Sequence, residues 1–177
     1  IMLDQSSLDW GKDENALSWP WPREVYGAVI HFCKRAGALS VAFDVLYTEP
    51  SKYGVSDDQA FADALRAMPT VAAVFLSKTT GSETSWPDFA PAPVFQINGL
   101  NDWIKKLGYE SYAHASFPVP KIAAAAKVLA NVQMRPDADG VYRRATLLEV
   151  FGGQVMPTLG LANYLAAHPE TKMALAP

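Results

Sequence analysis

An aspartate set inside an apolar run is the residue of this chain best suited to chemistry. Asp44 separates Val41-Ala42-Phe43 from Val45-Leu46-Tyr47. An ionised carboxylate away from water is costly unless it is paired or hydrogen-bonded. Two readings follow. Asp44 is a binding or signalling carboxylate at the end of a central strand, where open α/β sheets take their ligands. Alternatively it is structural, satisfied by an ion pair or by loop amides. Arg143 or Arg144 is the partner that either reading points to. Both follow a turn at the head of a predicted strand and so face opposite sides of it. Their guanidinium groups suit two-pronged contact with carboxylate or phosphate. Asp57 and Asp58 stand in the first turn of a predicted helix, whose positive end favours acids by about 0.3–1 kcal/mol each. Asp44, Asp58, Arg143 and Arg144 together form the candidate ligand-binding or signalling set. Glu49 reads as solvated.

Other chemistries lack their parts. Asp137-Ala138-Asp139-Gly140 resembles the start of a calcium loop. The further oxygen ligands are missing, because Val141, Arg143 and Leu148 stand at the fifth, seventh and twelfth positions. A tight turn is the reading left for it. No Gly-x-Ser-x-Gly elbow, His-Glu-x-x-His pair or glycine-rich phosphate loop occurs. Asp44 lacks the second aspartate that the haloacid dehalogenase nucleophile carries two residues on, since Leu46 stands there. His31, His114 and His168 have no partner at ligand spacing. No catalytic residue, metal or cofactor is expected. A metal-dependent hydrolase built on the acidic residues is the least favoured alternative.

Composition narrows the partners. The 177 residues carry a net charge of −3, and no run of Lys or Arg is longer than a pair. That leaves no basic face for nucleic acid. Hydrophobic residues make up 50%, enough for one core, so residues 1–177 read as a single domain. The lone Cys33 excludes an internal disulfide and reads as a small buried hydrophobe. No stretch approaches the roughly 18–20 apolar residues of a membrane span. The chain begins at Ile1 rather than at a methionine, which leads us to expect a fragment of a longer protein.

These residues must be positioned by alternating strands and helices. Residues 1–18 read as an irregular segment. A helix is predicted from about Pro22 to Ala36, with proline at its start and Gly37 past its end. The apolar run 39–47 reads as a central strand covered on both faces. Ser56 and Gln59 have capping-box spacing, before a helix with Phe61, Ala64, Leu65 and Met68 on one face. Thr70–Leu76 is a second buried strand, and residues 78–93 a surface excursion. A short strand near Val94–Ile97 and a helix over Asn101–Leu107 follow. Pro120 opens a helix bearing Ile122, Ala125, Ala126 and Leu129, before a brief strand at Asn131–Met134. Val141–Phe151 reads as a long strand, turned at Gly152-Gly153 into Gln154–Met156. Pro157 starts a last helix reaching His168. The fold class is α/β: a layered α/β/α sandwich with a mixed, mostly parallel sheet and a C-terminal β-hairpin.

The pieces occur in an order that resembles the CHASE sensory domains of the second type, the cyclase and histidine-kinase associated sensory extracellular domains. They are Trp19-Pro20-Trp21-Pro22-Arg23, then Val41 through Pro50, then Asp57-Asp58 with Phe61 and Ala64-Leu65. Pro120, Asp137 through Arg144, Leu147 and Leu159 complete the set, over about residues 19–166. Typical members carry Leu-Gly where Leu129-Ala130-Asn131 stands here. The resemblance implies an extracytoplasmic domain with flanking membrane helices, the periplasmic or extracellular portion of a bacterial inner-membrane receptor. A histidine kinase, nucleotide cyclase or Ser/Thr kinase would follow inside. The expected partner is an unknown small-molecule or ion signal. A homodimer or protein partner is the alternative, motivated by Trp86, Phe89 and Trp103.

Overall fold

The computed structural model describes residues 1–95 and 100–171, apart from the side chains of Trp103 and Leu107. Its elements are α1 (Gln5–Asn15), α2 (Arg23–Arg35), β1 (Val41–Phe43), α3 (Val55–Leu65), β2 (Thr70–Ser77) and α4 (Leu100–Leu107). Then come β3 (His114–Ser116), α5 (Pro120–Ala125), β4 (Val128–Asn131), β5 (Leu148–Phe151), β6 (Gln154–Pro157) and α6 (Leu159–Ala167).

Strand β2 is the hub. Its first half pairs in parallel with β1 and with β4, and its last residues pair antiparallel with β3. The β5–β6 hairpin stands beside this sheet, joined through single bridges from Tyr112 to Phe151 and from Asn131 to Thr158. Side chains along a strand alternate between faces, and the sheet follows that rule. Val71, Val128 and Ala130 pack on Ala162 and Ala166 of α6. Ala72, Val74, Leu76 and Leu129 face the other way, toward Ala123 and Ala126. Phe43, Tyr26, Tyr47 and Phe61 form a third cluster with Ile30, Leu65 and Ile122, where α2 and α3 meet. The α/β class, the mostly parallel sheet and the terminal hairpin all agree with the sequence reading.

Several boundaries differ, each for a physical reason. Residues 1–18 are not irregular: α1 is capped by Asp4, whose carboxylate accepts from the Ser7 amide at 2.9 Å. The run 39–47 is not a doubly covered strand. Only three residues pair, at the start of β2, and beyond them the chain alternates: Phe43 and Tyr47 are buried, while Asp44, Leu46 and Thr48 are exposed. Helix α3 starts from Gly54 without a side-chain cap, so Ser56 does not act as one. Strand β4 lies three residues earlier than expected, because Ala126 is already extended and residues 128–131 match β2 in register. The strand expected over Val141–Phe151 shrinks to four residues. Its partner β6 ends at Pro157, opposite Leu148, so residues before Leu148 have no ladder to join. The Gly152-Gly153 turn is as expected, with both φ angles positive. Of the strand expected near Val94–Ile97, residues 96–97 lie outside the described residues, and Phe95 makes a single bridge to Val155.

Gly11 shows why α1 docks. A Cβ built there would lie 2.6 Å from the Trp21 ring, which covers this face of the helix. Gly11→Ala is therefore expected to destabilise the fold by about 1–3 kcal/mol through overpacking, although alanine is the better helix former by about 1 kcal/mol. Urea unfolding checks this, and a stabilised variant would mean that α1 is not seated on Trp21.

Candidate functional site

The four residues singled out in the sequence do not assemble. Asp44 is exposed and, among the described residues, makes no ion pair or side-chain hydrogen bond. The alternating backbone after β1 turns it outward, so the burial that seemed to demand a partner is absent. Arg143 and Arg144 are not at the head of a strand and do not meet Asp44. Both are exposed and fold back on the preceding turn, Arg143 to Asp139 at 2.8 Å and Arg144 to Asp137 at 2.9 Å. That turn is closed by a hydrogen bond from the Gly140 amide to the Asp137 carbonyl at 2.9 Å. Asp58 is buried, in a different setting from the one expected.

That setting is built around Arg23. Helix α2 begins after Pro22, which has no side chain to cap the free amides of the first turn. Asp57 of α3 does so from outside, accepting from the Arg23 amide at 2.8 Å and the Glu24 amide at 2.9 Å. The Ser51 hydroxyl also donates to Asp57. Burial alone would raise the Asp57 pKa, but the Ser51 hydroxyl, the two amides and the Arg23 guanidinium together hold it below its usual value. Asp58 pairs with the Arg23 guanidinium and accepts from the Ser51 amide at 3.2 Å. The guanidinium also donates to the Glu49 carbonyl and lies 5.3 Å from the Tyr47 ring centre. Arg23 is 7% exposed and Asp58 5%. The acids placed by sequence at their own helix end thus serve the neighbouring helix.

A second polar cluster, which the sequence reading missed, sits past the carboxyl ends of β2 and β4. Asn131, buried at the end of β4, takes the Leu76 amide at 3.3 Å and the Gln133 amide at 3.0 Å. It thereby ends the strand and steers the following residues outward. Arg135 Nε donates to the Tyr112 hydroxyl at 2.7 Å, and that hydroxyl donates to Gln133 Oε1 at 2.6 Å. Lys78, the first residue after β2, pairs with Glu110. Nearby, Glu149 of β5 is 4% exposed and has no ion pair among the described residues. The Tyr109 hydroxyl is shared between the Leu148 carbonyl at 2.9 Å and Glu149 Oε2 at the longer distance of 3.3 Å. Burial pushes the Glu149 pKa up, and Arg135, Tyr109 and Thr146 offset this only in part. Tyr109 is in turn raised to about 12 by burial and by Glu149. The one trace of this cluster in the sequence is Glu149, a lone acid among Leu147, Leu148, Val150 and Phe151.

The sequence model of the CHASE2 domain matches residues 1–176. The chain belongs to the CHASE2 domain family. This is an extracellular sensory domain family of receptors, not a catalytic one, so the chain is a signal-sensing domain. Comparison with curated proteins and with solved structures returns no match. Three motif pieces of the CHASE2 resemblance converge in space: Arg23 of the first meets Tyr47 and Glu49 of the second and Asp57-Asp58 of the third. Among the described residues of this CHASE2 domain, no group of three or more His, Cys, Asp or Glu is placed to hold a metal ion. Trp86 and Phe89 pack against the second core cluster rather than standing free, Trp86 edge-on to Phe117 at 5.7 Å. The Trp103 side chain lies outside the described residues.

Two outcomes follow. Asp58→Ala strands a buried guanidinium and is expected to cost about 3–5 kcal/mol. Replacing both partners, as in Arg23→Met with Asp58→Leu, is expected to cost less than the single change, as urea titration would show. Glu149 has the opposite character. Its native pKa lies above the ordinary 4.5, so the folded state holds this proton more tightly than the unfolded chain. Its contribution to stability grows as pH falls from the raised value toward 4.5 and is lost as pH rises through the raised value. Glu149→Gln is thus expected to be more stable than wild type at neutral pH, with the gap closing on acidification. Asp57 acts lower, its stabilisation being lost only as pH falls from 3.8 through its depressed value. Unfolding at a series of pH values tests this; a gap independent of pH would exclude the assignment.

Proposed function

We propose that this CHASE2 domain is the extracytoplasmic portion of a bacterial membrane receptor. It detects a small signal and passes the response to a cytoplasmic output module such as a histidine kinase, nucleotide cyclase or Ser/Thr kinase. The observation that carries the reading is the family match across residues 1–176. No helix among the described residues is long and apolar enough to cross a membrane, so the proposed anchors are segments outside them.

The recognition site in this proposal is the polar cluster past the carboxyl ends of β2 and β4. Its position accords with the rule that ligands bind at the carboxyl ends of strands in open α/β sheets. A route outward is also present. Tyr109 holds the Leu148 carbonyl, β5 pairs with β6, and β6 runs directly into α6, which lies on β1, β2 and β4. A signal that prefers one arrangement of the hairpin shifts α6 by that difference in affinity and no more.

The placement is tested in the full-length protein by fusing alkaline phosphatase or green fluorescent protein just after residue 171. Phosphatase activity with a dark fluorescent fusion is the expected pattern. A bright fluorescent fusion with inactive phosphatase would overturn the extracytoplasmic assignment.

A further inference from the structure

Arg135 is fixed in place before any partner arrives. Its Nε donates to the Tyr112 hydroxyl at 2.7 Å, and its guanidinium carbon lies 4.6 Å from the centre of the Tyr112 ring. Tyr112 is buried in the second core cluster and held by Gln133. The outer edge of the guanidinium is poorly used by contrast. Its single contact among the described residues is from Nη1 to Glu110 Oε2 at 3.5 Å, at the weak limit of a hydrogen bond. Lys78 pairs with that same oxygen. Two cations, one past the end of β2 and one past the end of β4, thus converge on one oxygen of an exposed carboxylate.

That arrangement has the form of an occupied anion site whose occupant is the protein's own side chain. A planar guanidinium takes a carboxylate through two parallel N–H···O bonds. Glu110 reaches only one nitrogen, so an incoming carboxylate gains a contact that Glu110 does not make. Glu110 lies between α4 and β3 with its side chain 62% exposed, so little holds it there beyond the two cations. Exposed pairs of this kind are weak and readily exchanged. Arg135 is the costlier element to position, and it is the one that the buried Tyr112 holds.

We propose that Arg135 and Lys78 bind the carboxylate of a small organic acid, and that Glu110 takes its place in the free protein. This inference rests on reading the cluster at the strand ends as the recognition site.

The test is a titration of the chain with sodium acetate and sodium succinate at constant ionic strength. It follows the Arg135 Nε–H signal and the Tyr112 amide by NMR. Saturable shifts with either acid, and none with sodium chloride, are expected. Arg135→Lys keeps the charge but loses the fork, and should weaken binding about tenfold. Glu110→Gln removes the internal competitor and should strengthen binding roughly two- to fivefold. Because Glu110 is exposed, its variant decides the matter even if Arg135→Lys fails to fold. Equal shifts with chloride, weaker binding by Glu110→Gln, or phosphate bound at these residues in preference to both acids would overturn the proposal. The receptor placement is tested separately. Acetate binding together with a bright fluorescent fusion supports this site and removes only that placement, whereas no binding together with active phosphatase removes the site and leaves the placement.

Discussion

A guanidinium shut away from water must be answered on every side, and Arg23 organises the first half of the molecule by that requirement. Its charge is met by Asp58, its second nitrogen by the Glu49 carbonyl, and its face by the Tyr47 ring. Its own amide is met by Asp57. These partners come from the start of α2, the loop after β1 and the start of α3, so the three must arrive together. Breaking any one would leave a buried charge short of a partner, which costs far more than a surface contact. Around the pair, Tyr26, Phe43, Tyr47 and Phe61 pack edge to face or tilted, with Phe43 and Phe61 edge to face and centred 5.3 Å apart. The network and the aromatic cluster specify one arrangement of α2 over α3.

The charged groups of the two polar clusters differ in how completely they are satisfied, although the buried Trp21 Nε1 and Tyr47 hydroxyl beside Arg23 have no hydrogen-bond partner among the described residues. The carboxylates about Arg23 are each held by amides, a hydroxyl or the guanidinium itself. The cluster past β2 and β4 retains slack. Glu149 is buried and its neighbours Arg135, Tyr109 and Thr146 offset that burial only in part, and Arg135 presents an edge that Glu110 only grazes. Carboxylates held on several sides resist change, whereas ionisable groups left with few partners can still gain free energy from a ligand or a proton. This contrast is what supports the proposed recognition site at the second cluster, and the ion pair of Arg23 with Asp58 is what ties α2 to α3. The hairpin links that second cluster to α6, which covers the opposite face of the sheet from α5.

The segment after β1 shows why a correct reading of residue types led to the wrong partner. Asp44 among apolar neighbours looks buried if the run is a central strand. Pairing on one edge and for three residues only, the chain instead alternates, and the aspartate falls on the wet side. Arg143 and Arg144 looked like strand residues because Val141–Phe151 is apolar enough for a strand. The length of β6 decided otherwise, by leaving them nothing to pair with. In both cases the missing quantity was the extent of a neighbouring strand, which a single segment does not encode.

What the sequence determined by itself was local and ordered. Helices announced by proline, glycine and periodic apolar faces formed close to where they were read, as did β2 and the Gly152-Gly153 turn. The order of the motif pieces was enough to identify the family. Tertiary structure alone decided which charges meet. Asp57 and Asp58 lie 34 and 35 residues from Arg23, Arg135 lies 23 from Tyr112, and Glu149 lies 40 from Tyr109. An electrostatic contact depends on distance through space and on the water excluded around it, and both are set only once the sheet and helices have packed.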